Sequence, residues 1–292
     1  MARHLLAQGF AVRALTRHPD SEAAARLRAG GAEVVAADFL DRPSLMQALE
    51  GAYGAFSVQN MLSVGTEIEI MQGYAFADAA KATGVRHLVY SSVGGADRST
   101  GIGHFESKWA VEEHIRRIGI PATIVRPVFF IENLTAPGTF GRVTWGAVAW
   151  ALRGGKRLQV VSVDDIGALV ALALAAPERF IGQAIELAGD EVSLAQLRAA
   201  HRRITGRRRL AIPLPAGLIR FFDRDLAALF QWLHASGYAT DLTALRQLLP
   251  GLKNLEQALQ SAQGAALLQA GAATRKRPSA PAGERPGVQA GD

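Results

Sequence analysis

Residues 85–133 read as a strand, a glycine-containing loop, an amphipathic helix, a second strand and a further loop, an order that few folds accommodate. Two short β-rich runs joined by a helix form a βαβ unit, which requires a parallel sheet and a right-handed crossover. Ligands bind beyond the carboxyl ends of the strands in such sheets. We therefore expect Ser91, Ser92, Lys108 and the loop after the second strand to lie near a binding site.

The rest of the chain extends this alternation of strands and helices, at intervals of roughly 25 residues, so the expected class is α/β with a doubly wound parallel sheet. Residues 1–134 are expected to form a nucleotide-binding domain. Residues 135–263 are expected to form a smaller α+β region on the substrate side, interleaved with the first. Alanine, glycine, proline and charge dominate residues 271–292, which predicts a disordered tail.

One part of a nucleotide-binding unit is missing from the start of this sequence. Such a unit opens with a buried strand and a G-x-G-x-x-G or G-x-x-G-x-x-G loop, whose backbone N–H groups hold a pyrophosphate. No such pattern precedes Phe10, and residues 1–8 read as the end of a helix. Because the missing strand would be central, we expect the native chain to begin roughly twenty residues earlier. A protein that lacks the loop is the alternative.

Composition excludes several classes of site. Hydrophobic residues make up 49% and charged residues 20%, as in an ordinary globular protein. Without cysteine, disulfides, thiolate metal sites and cysteine nucleophiles are excluded. No His, Asp or Glu grouping has metal-ligand spacing. No apolar run approaches the ~20 residues of a membrane span, and the start lacks the apolar core of a signal peptide, so a cytoplasmic location is expected.

Short motifs follow one another along the chain: TRHP at 16–19, AD at 37–38, GAY at 51–53, QN at 59–60, VYSS at 89–92, FESK at 105–108, RP at 126–127 with FIENL at 130–134, and VDDIG at 163–167. With this ordered set the chain resembles the NmrA-like family, which comprises atypical relatives of the short-chain dehydrogenases/reductases. The resemblance covers residues 1 to about 260. It implies a Rossmann domain that binds NADP(H). Some members of the family are redox sensors or regulators without turnover, and others reduce quinones or similar small molecules.

Candidate cofactor residues follow three of the strands. Arg17 stands where NAD-selective proteins place an acid for the ribose 2′-OH, and a guanidinium there would pair with the 2′-phosphate of NADP; a solvated turn arginine is the alternative. Asp38, with Phe39 beside it, would border the adenine, or would cap the following helix. Gln59 and Asn60 follow the apolar run 52–58, where the ribose and nicotinamide would pass. Their amides need partners, which water or backbone could also supply.

The candidate catalytic residues lie on the helix of the βαβ unit. A conventional short-chain dehydrogenase has Tyr-x-x-x-Lys, in which the lysine lowers the pKa of the tyrosine and binds the nicotinamide ribose. This sequence has His104-x-x-x-Lys108 instead. Lys108 is the candidate ribose contact, with a surface lysine as the alternative. His104 is the candidate proton donor, with a helix-end cap or a solvated residue as the alternatives. Ser91 and Ser92 could hold a substrate carbonyl.

The loop after the second strand, which in the family passes over the nicotinamide, supplies the remaining candidates, Phe130, Ile131, Glu132 and Asn133. Phe130 could equally belong to the core, and Asn133 is the better hydrogen-bonding candidate. Five arginines fall within residues 202–209. An exposed basic turn explains them more simply than a nucleic-acid site, and the net charge of +6 is too weak an argument for one.

Two functions are compatible with these residues. The first is an NADP(H)-binding reductase of a quinone or another small carbonyl compound, in which hydride passes directly from nicotinamide to substrate. The second is a non-catalytic sensor whose NADPH/NADP⁺ state changes its affinity for a protein partner. The missing tyrosine favours the sensor, and the intact substrate-side half favours the enzyme. A monomer and a homodimer both remain open.

Overall fold

The computed structural model describes residues 1–60, 64–136, 138–206, 208, 212–221 and 223–261. The expected disordered tail, 271–292, and part of the arginine cluster lie outside them. The strands are β1 Arg13–Thr16, β2 Glu33–Ala36, β3 Gly54–Ser57, β4 His87–Ser91, β5 Ala122–Pro127, β6 Phe129–Phe130, β7 Leu158–Val161, β8 Ala184–Leu187 and β9 Asp190–Val192.

Helices separate most of these strands. The α-helices are α1 Ala2–Ala7, α2 Glu22–Ala29, α3 Arg42–Leu49, α4 Thr66–Ala82, α5 Gly103–Ile118, α6 Gly138–Ala151, α7 Val163–Ala175, α8 Pro177–Phe180, α9 Leu194–Thr205, α10 Ala216–Ile219, α11 Arg224–Ala235, α12 Leu242–Leu248 and α13 Leu255–Gln260. Short 3₁₀ turns span Ala96–Arg98, Ile131–Leu134 and Arg153–Gly155. Within the described part of the chain, no helix is both long and apolar enough to cross a membrane.

The predicted βαβ unit, β4–α5–β5, is confirmed. Strands β4 and β5 pair in parallel with Leu88 opposite Ala122, and α5 connects them. Gly119 ends α5 with a φ of +68°, a left-handed conformation that suits a residue without a Cβ atom. All five residues of β4 are buried, as expected for a parallel strand covered on both faces.

The strands form three sheets. Strands β1 and β2 form a parallel pair, β3-β4-β5-β8 form a parallel sheet in that order, and β6-β7-β9 form a small mixed sheet. No backbone hydrogen bond among the described residues joins β1 to β3. Each of these two strands therefore has one edge without a strand partner in the described chain.

Side-chain caps set the bounds of several helices after β7. The Asp223 carboxylate accepts from the Leu226 N–H at 2.9 Å and begins α11 separately from α10. Helix α7 is N-capped by Ser162, whose hydroxyl accepts from the Asp164 N–H at 3.2 Å. A capping box formed by Ser193 and Gln196 begins α9.

The core lies in three hydrophobic clusters. One fills the space between the central sheet and helices α4 and α5, and includes Phe76, Leu88, Val111 and Ile115. A second packs α7 against the opposite face of the sheet, where Val89 points because successive strand residues alternate in direction. The third belongs to the C-terminal region and surrounds α6, α9 and α11. Helix α5 is therefore held against the sheet by apolar packing of Val111 and Ile115.

Candidate functional site

Lys108 and Gln59 meet at the carboxyl end of strand β3. The Lys108 ammonium donates a hydrogen bond to the Gln59 backbone carbonyl at 2.8 Å. Both residues are buried, with exposed fractions of 8% and 4%. The alternative of a surface lysine is therefore excluded, and two of the residues predicted at the cofactor site are in direct contact.

Glu69, on helix α4, is a second partner of Lys108 and was not identified from the sequence. Its Oε1 lies 3.0 Å from the Lys108 Nζ, and its Oε2 accepts a hydrogen bond from the Ser107 hydroxyl. Burial lowers the pKa of Lys108, and the Glu69 carboxylate opposes that shift only in part. Helical spacing places Glu69 on one buried face with Gln72, Gly73 and Phe76, but that pattern does not reveal its partner on α5.

His104 lies one helical turn before Lys108. Its half-buried ring packs edge-on against Phe105 at 4.6 Å between centroids, and its Nδ1 is a buried atom without a hydrogen-bond partner among the described residues. Burial lowers the pKa of His104, opposed by the carboxylates of Asp225 and Glu69. His104 lies inside α5 rather than at its N-cap, so the capping alternative is excluded.

A buried charge network lies beside Ser92. Glu112, fully buried on α5, accepts from the Ser92 hydroxyl at 2.6 Å and from Arg126 Nε and Nη2 at 2.9 and 2.7 Å. It also accepts from Arg116 at 2.6 Å, and Arg126 pairs with Asp97 as well. Because Ser92 gives its only hydroxyl proton to Glu112, it is not placed to donate to a substrate carbonyl.

The predicted adenine-side residues follow the adjacent parallel strands β1 and β2, so they lie at one edge of that sheet. Arg17 is exposed directly after β1. The alternative that Asp38 caps the following helix is wrong, because Asp41 occupies the N-cap of α3. The Asp38 Oδ1 instead accepts from the Leu40 N–H at 2.9 Å, in the turn before that helix. The Phe39 ring contacts Phe76 edge-on at 5.5 Å and belongs partly to the core.

The predicted nicotinamide loop forms the end of β6 and the following 3₁₀ turn. Phe130 and Ile131 pack against core clusters, and Ile131 is only 2% exposed. The Glu132 Oε1 accepts from the Ser162 hydroxyl and the Val163 N–H, both at 3.1 Å, and so ties the loop to the start of α7. Burial raises the pKa of Glu132. Asn133 is half-buried.

Unpaired polar atoms concentrate on the predicted site. Among the described residues, five buried side-chain nitrogen or oxygen atoms have no hydrogen-bond partner, and three belong to predicted site residues: Gln59 Oε1, His104 Nδ1 and Glu132 Oε2. Buried polar atoms are normally paired, so such atoms suit a polar ligand. The described residues contain no group of three or more His, Asp or Glu residues that could hold a metal.

Known proteins resemble this chain in sequence and in fold. The NmrA-like family domain-containing oxidoreductase FrzB of Cladobotryum sp. is 31% identical over 225 residues, which cover 68% of this chain and 67% of FrzB. The structure of NmrA, a negative transcriptional regulator, in complex with NADP matches with a TM-score of 0.69 at 20% identity, over 93% of this chain and 95% of NmrA. The NADPH-dependent quinone oxidoreductase QOR2 of Escherichia coli matches with a TM-score of 0.68 at 22% identity, over 88% and 93%.

The structural matches confirm the Rossmann-like α/β class, since identities near 20% carry information about the fold alone. The sequence match carries further. The model of the NmrA-like family matches residues 1–259, nearly all of the chain that the structure describes. This chain belongs to the NmrA-like family.

Proposed function

We propose that this protein is an NADP(H)-dependent reductase that acts on a quinone or another small carbonyl compound. The contact between Lys108 and the Gln59 carbonyl carries the proposal, because it brings a cation to the carboxyl edge of the central sheet beside unpaired polar atoms. Three similar proteins support it: FrzB is an oxidoreductase by name, NmrA binds NADP, and QOR2 is an NADPH-dependent quinone oxidoreductase.

The residues of this chain would bind and orient rather than carry out the redox chemistry. The cofactor, when bound, supplies the hydride. Arg17 would attract the 2′-phosphate, and Lys108 would donate to the nicotinamide ribose. His104, neutral at its lowered pKa, would hold a hydrogen bond to the substrate through Nδ1. The pyrophosphate is assigned to no residue of this chain.

The region 135–263 would cover the substrate, and the region 1–134 would hold the cofactor. The Asp225 carboxylate of α11 accepts from the Gly103 N–H at 3.3 Å, at the start of the helix that carries His104. The Trp232 ring, also on α11, would lie 3.2 Å from a Cβ atom built on Gly95. These contacts support a substrate site closed by α11.

A fluorescence titration with NADPH and, separately, NADH tests the cofactor assignment. We expect NADPH to bind about 10- to 100-fold more tightly, the value of one charge-assisted contact to the 2′-phosphate. Arg17→Ala should abolish that preference. Arg86→Ala is the matched control, because Arg86 is also exposed but precedes β4, whereas Arg17 follows the carboxyl end of β1. Equal affinities, or no binding of either nucleotide, would overturn the assignment.

The alternative is a non-catalytic sensor that regulates a protein partner. It is favoured by His104 in place of the tyrosine of conventional enzymes and by the similarity to NmrA, a negative transcriptional regulator. Oxidation of NADPH over a panel of quinones and small carbonyl compounds separates the two functions. Binding of NADPH without reduction of any compound would refute the reductase and leave the sensor.

A further inference from the structure

Helices α4 and α5 approach each other closely beside the candidate site. A Cβ atom on Gly73 would lie 2.4 Å from a methyl group of Val111, so only glycine fits at this crossing. Gly73 is one turn after Glu69, and Val111 is about one turn after Lys108. The close approach places the Glu69 carboxylate within 3.0 Å of the Lys108 ammonium, although neither side chain is exposed by more than 10%.

The hydrogen bonds of Lys108 leave one direction open. A lysine ammonium has three N–H donors. One is directed to the Gln59 carbonyl at 2.8 Å and a second to the Glu69 Oε1 at 3.0 Å. Within the described chain no third hydrogen bond is made, and the other contact of the ammonium is the Tyr90 ring, whose centroid lies 5.6 Å from Nζ. One N–H therefore has no hydrogen-bond acceptor there and is available to a ligand. An exposed lysine, whose four-carbon side chain is flexible, would have no fixed direction for its N–H groups.

Burial disfavours the charged form of Lys108 and lowers its pKa, because a low-dielectric environment disfavours an ammonium. The titratable groups that face Lys108 are Glu69 from α4, Tyr90 from β4 and His104 from its own helix. Tyr90 is neutral, because burial raises its pKa well above the ordinary value. Glu69 is therefore the anionic group that favours the charged form of Lys108, beside the neutral Gln59 carbonyl and the Tyr90 ring.

We propose that Glu69 is a positioning residue: it keeps the Lys108 ammonium charged and directs the remaining N–H towards the nicotinamide ribose. Ser107 assists, because its hydroxyl donates to the second Glu69 oxygen and fixes the plane of the carboxylate. The direction towards ribose rests on the proposed function. The effect on the charge of Lys108 does not, and it is measurable without any cofactor.

The first measurement is NMR of the protein without cofactor, labelled with ¹³C at the lysine Cε, which follows the charge of each lysine against pH. The sequence has only five lysines, so the spectrum is simple. In Glu69→Gln we expect the titration midpoint of Lys108 to move to lower pH, while those of Lys81, Lys156 and Lys253 stay in place. An unchanged Lys108 midpoint in folded Glu69→Gln would overturn the proposal.

Two variants separate positioning from a general loss of structure. Glu67→Gln removes an exposed charge from the first turn of the same helix and should leave the Lys108 midpoint unchanged. Glu69→Asp keeps the charge on a shorter side chain, so the Lys108 midpoint should lie much closer to the wild-type value than in Glu69→Gln. A shift of equal size in Glu67→Gln would assign the effect to the charge of α4 as a whole and would also refute a specific role of Glu69.

The second measurement is NADPH affinity against pH. Glu69→Gln should weaken binding about tenfold at neutral pH, the loss of roughly one charge-assisted hydrogen bond. The pH above which binding declines should also be lower than in the wild type. A moved Lys108 midpoint with unchanged NADPH affinity would refute the ribose direction. If the wild type bound no NADPH while the midpoint moved, the proposed function would fail and the role of Glu69 in the charge of Lys108 would stand.

Discussion

Replacement of Arg126 by methionine is expected to destabilise the protein far more than the same replacement of Arg116. Both arginines hydrogen-bond to Glu112, and both guanidinium groups lie over the Trp109 ring, at 5.6 and 4.8 Å. They differ in burial, because the Arg126 side chain is 9% exposed and that of Arg116 is 44% exposed. The comparison therefore contrasts a buried and an exposed partner of one carboxylate, and the buried partner also pairs with Asp97.

The magnitude follows from that difference. Removal of one partner of a buried ion pair costs about 3–5 kcal/mol, because the remaining charge stays in a low-dielectric site. An exposed pair contributes at most about 1 kcal/mol. The unfolding entropy of a 292-residue chain is roughly 0.6 kcal/mol per degree. We therefore expect the melting temperature to fall by about 5–8 °C in Arg126→Met and by no more than about 2 °C in Arg116→Met.

Calorimetry and urea unfolding measure both variants, and a double variant tests the cause. In Glu112→Gln/Arg126→Met the buried charge and its main partner are removed together. The loss of unfolding free energy should therefore be smaller than the sum of the losses in Glu112→Gln and Arg126→Met. Glu113→Gln, an exposed neighbour on α5, is the control and should change the melting temperature by less than about 1 °C. Equal losses in Arg126→Met and Arg116→Met, or simple additivity in the double variant, would refute the reasoning.

Two further predictions concern stability. Burial alone would raise the pKa of Asp164, but hydrogen bonds from Lys253 and its neighbours lower it well below its ordinary value of 3.8, and those bonds raise the pKa of Lys253 above 10.5. Lys253→Met should therefore reduce the melting temperature between about pH 4 and pH 10. The difference in melting temperature from the wild type should narrow below that range, where Asp164 binds a proton, and above it, where Lys253 of the wild type loses one. Gly95→Ala should lower the free energy of unfolding in urea by more than Gly101→Ala does. Both glycines have positive φ, of +79° and +70°, so each variant should lose about 1 kcal/mol from backbone strain. Only at Gly95 would the new Cβ also meet the Trp232 ring, at 3.2 Å. Equal losses at the two glycines would contradict the contact.

Local sequence signals were sufficient to predict the βαβ unit and the position of Lys108 on its helix. The strands of this unit are nearly continuous apolar runs, and a glycine with positive φ, Gly84 or Gly119, follows each of the helices α4 and α5. The spacing from His104 to Lys108 placed both residues on one face of α5. These features depend on neighbours within one or two helical turns, so they are readable from a single sequence.

The buried carboxylates were not readable in the same way. Glu69 and Glu112 resemble ordinary acids of amphipathic helices until their partners are known, and those partners are distant in sequence. Ser107 is 38 residues from Glu69, and Arg126 is 14 residues from Glu112. Whether a charge is buried is decided by the crossing of α4 with α5 and by the register of β5, which are tertiary features. The short strands β6 and β9 escaped prediction because two or three residues carry no periodic pattern.

Helix α5 connects the two buried ion pairs. Lys108 and Glu112 are four residues apart and face the same side of the helix, one paired with α4 and the other with β5. The apolar packing of Val111 also holds α5 in place. If that packing were sufficient, removal of either ion pair would leave Lys108 near Gln59. The two pairs also have different consequences, because the pair with Glu69 acts on the charge of the site residue itself, whereas the pair with Arg126 acts on the stability of its support. A Lys108 midpoint that moves in Glu69→Gln but not in Arg126→Met would separate these roles within a single helix.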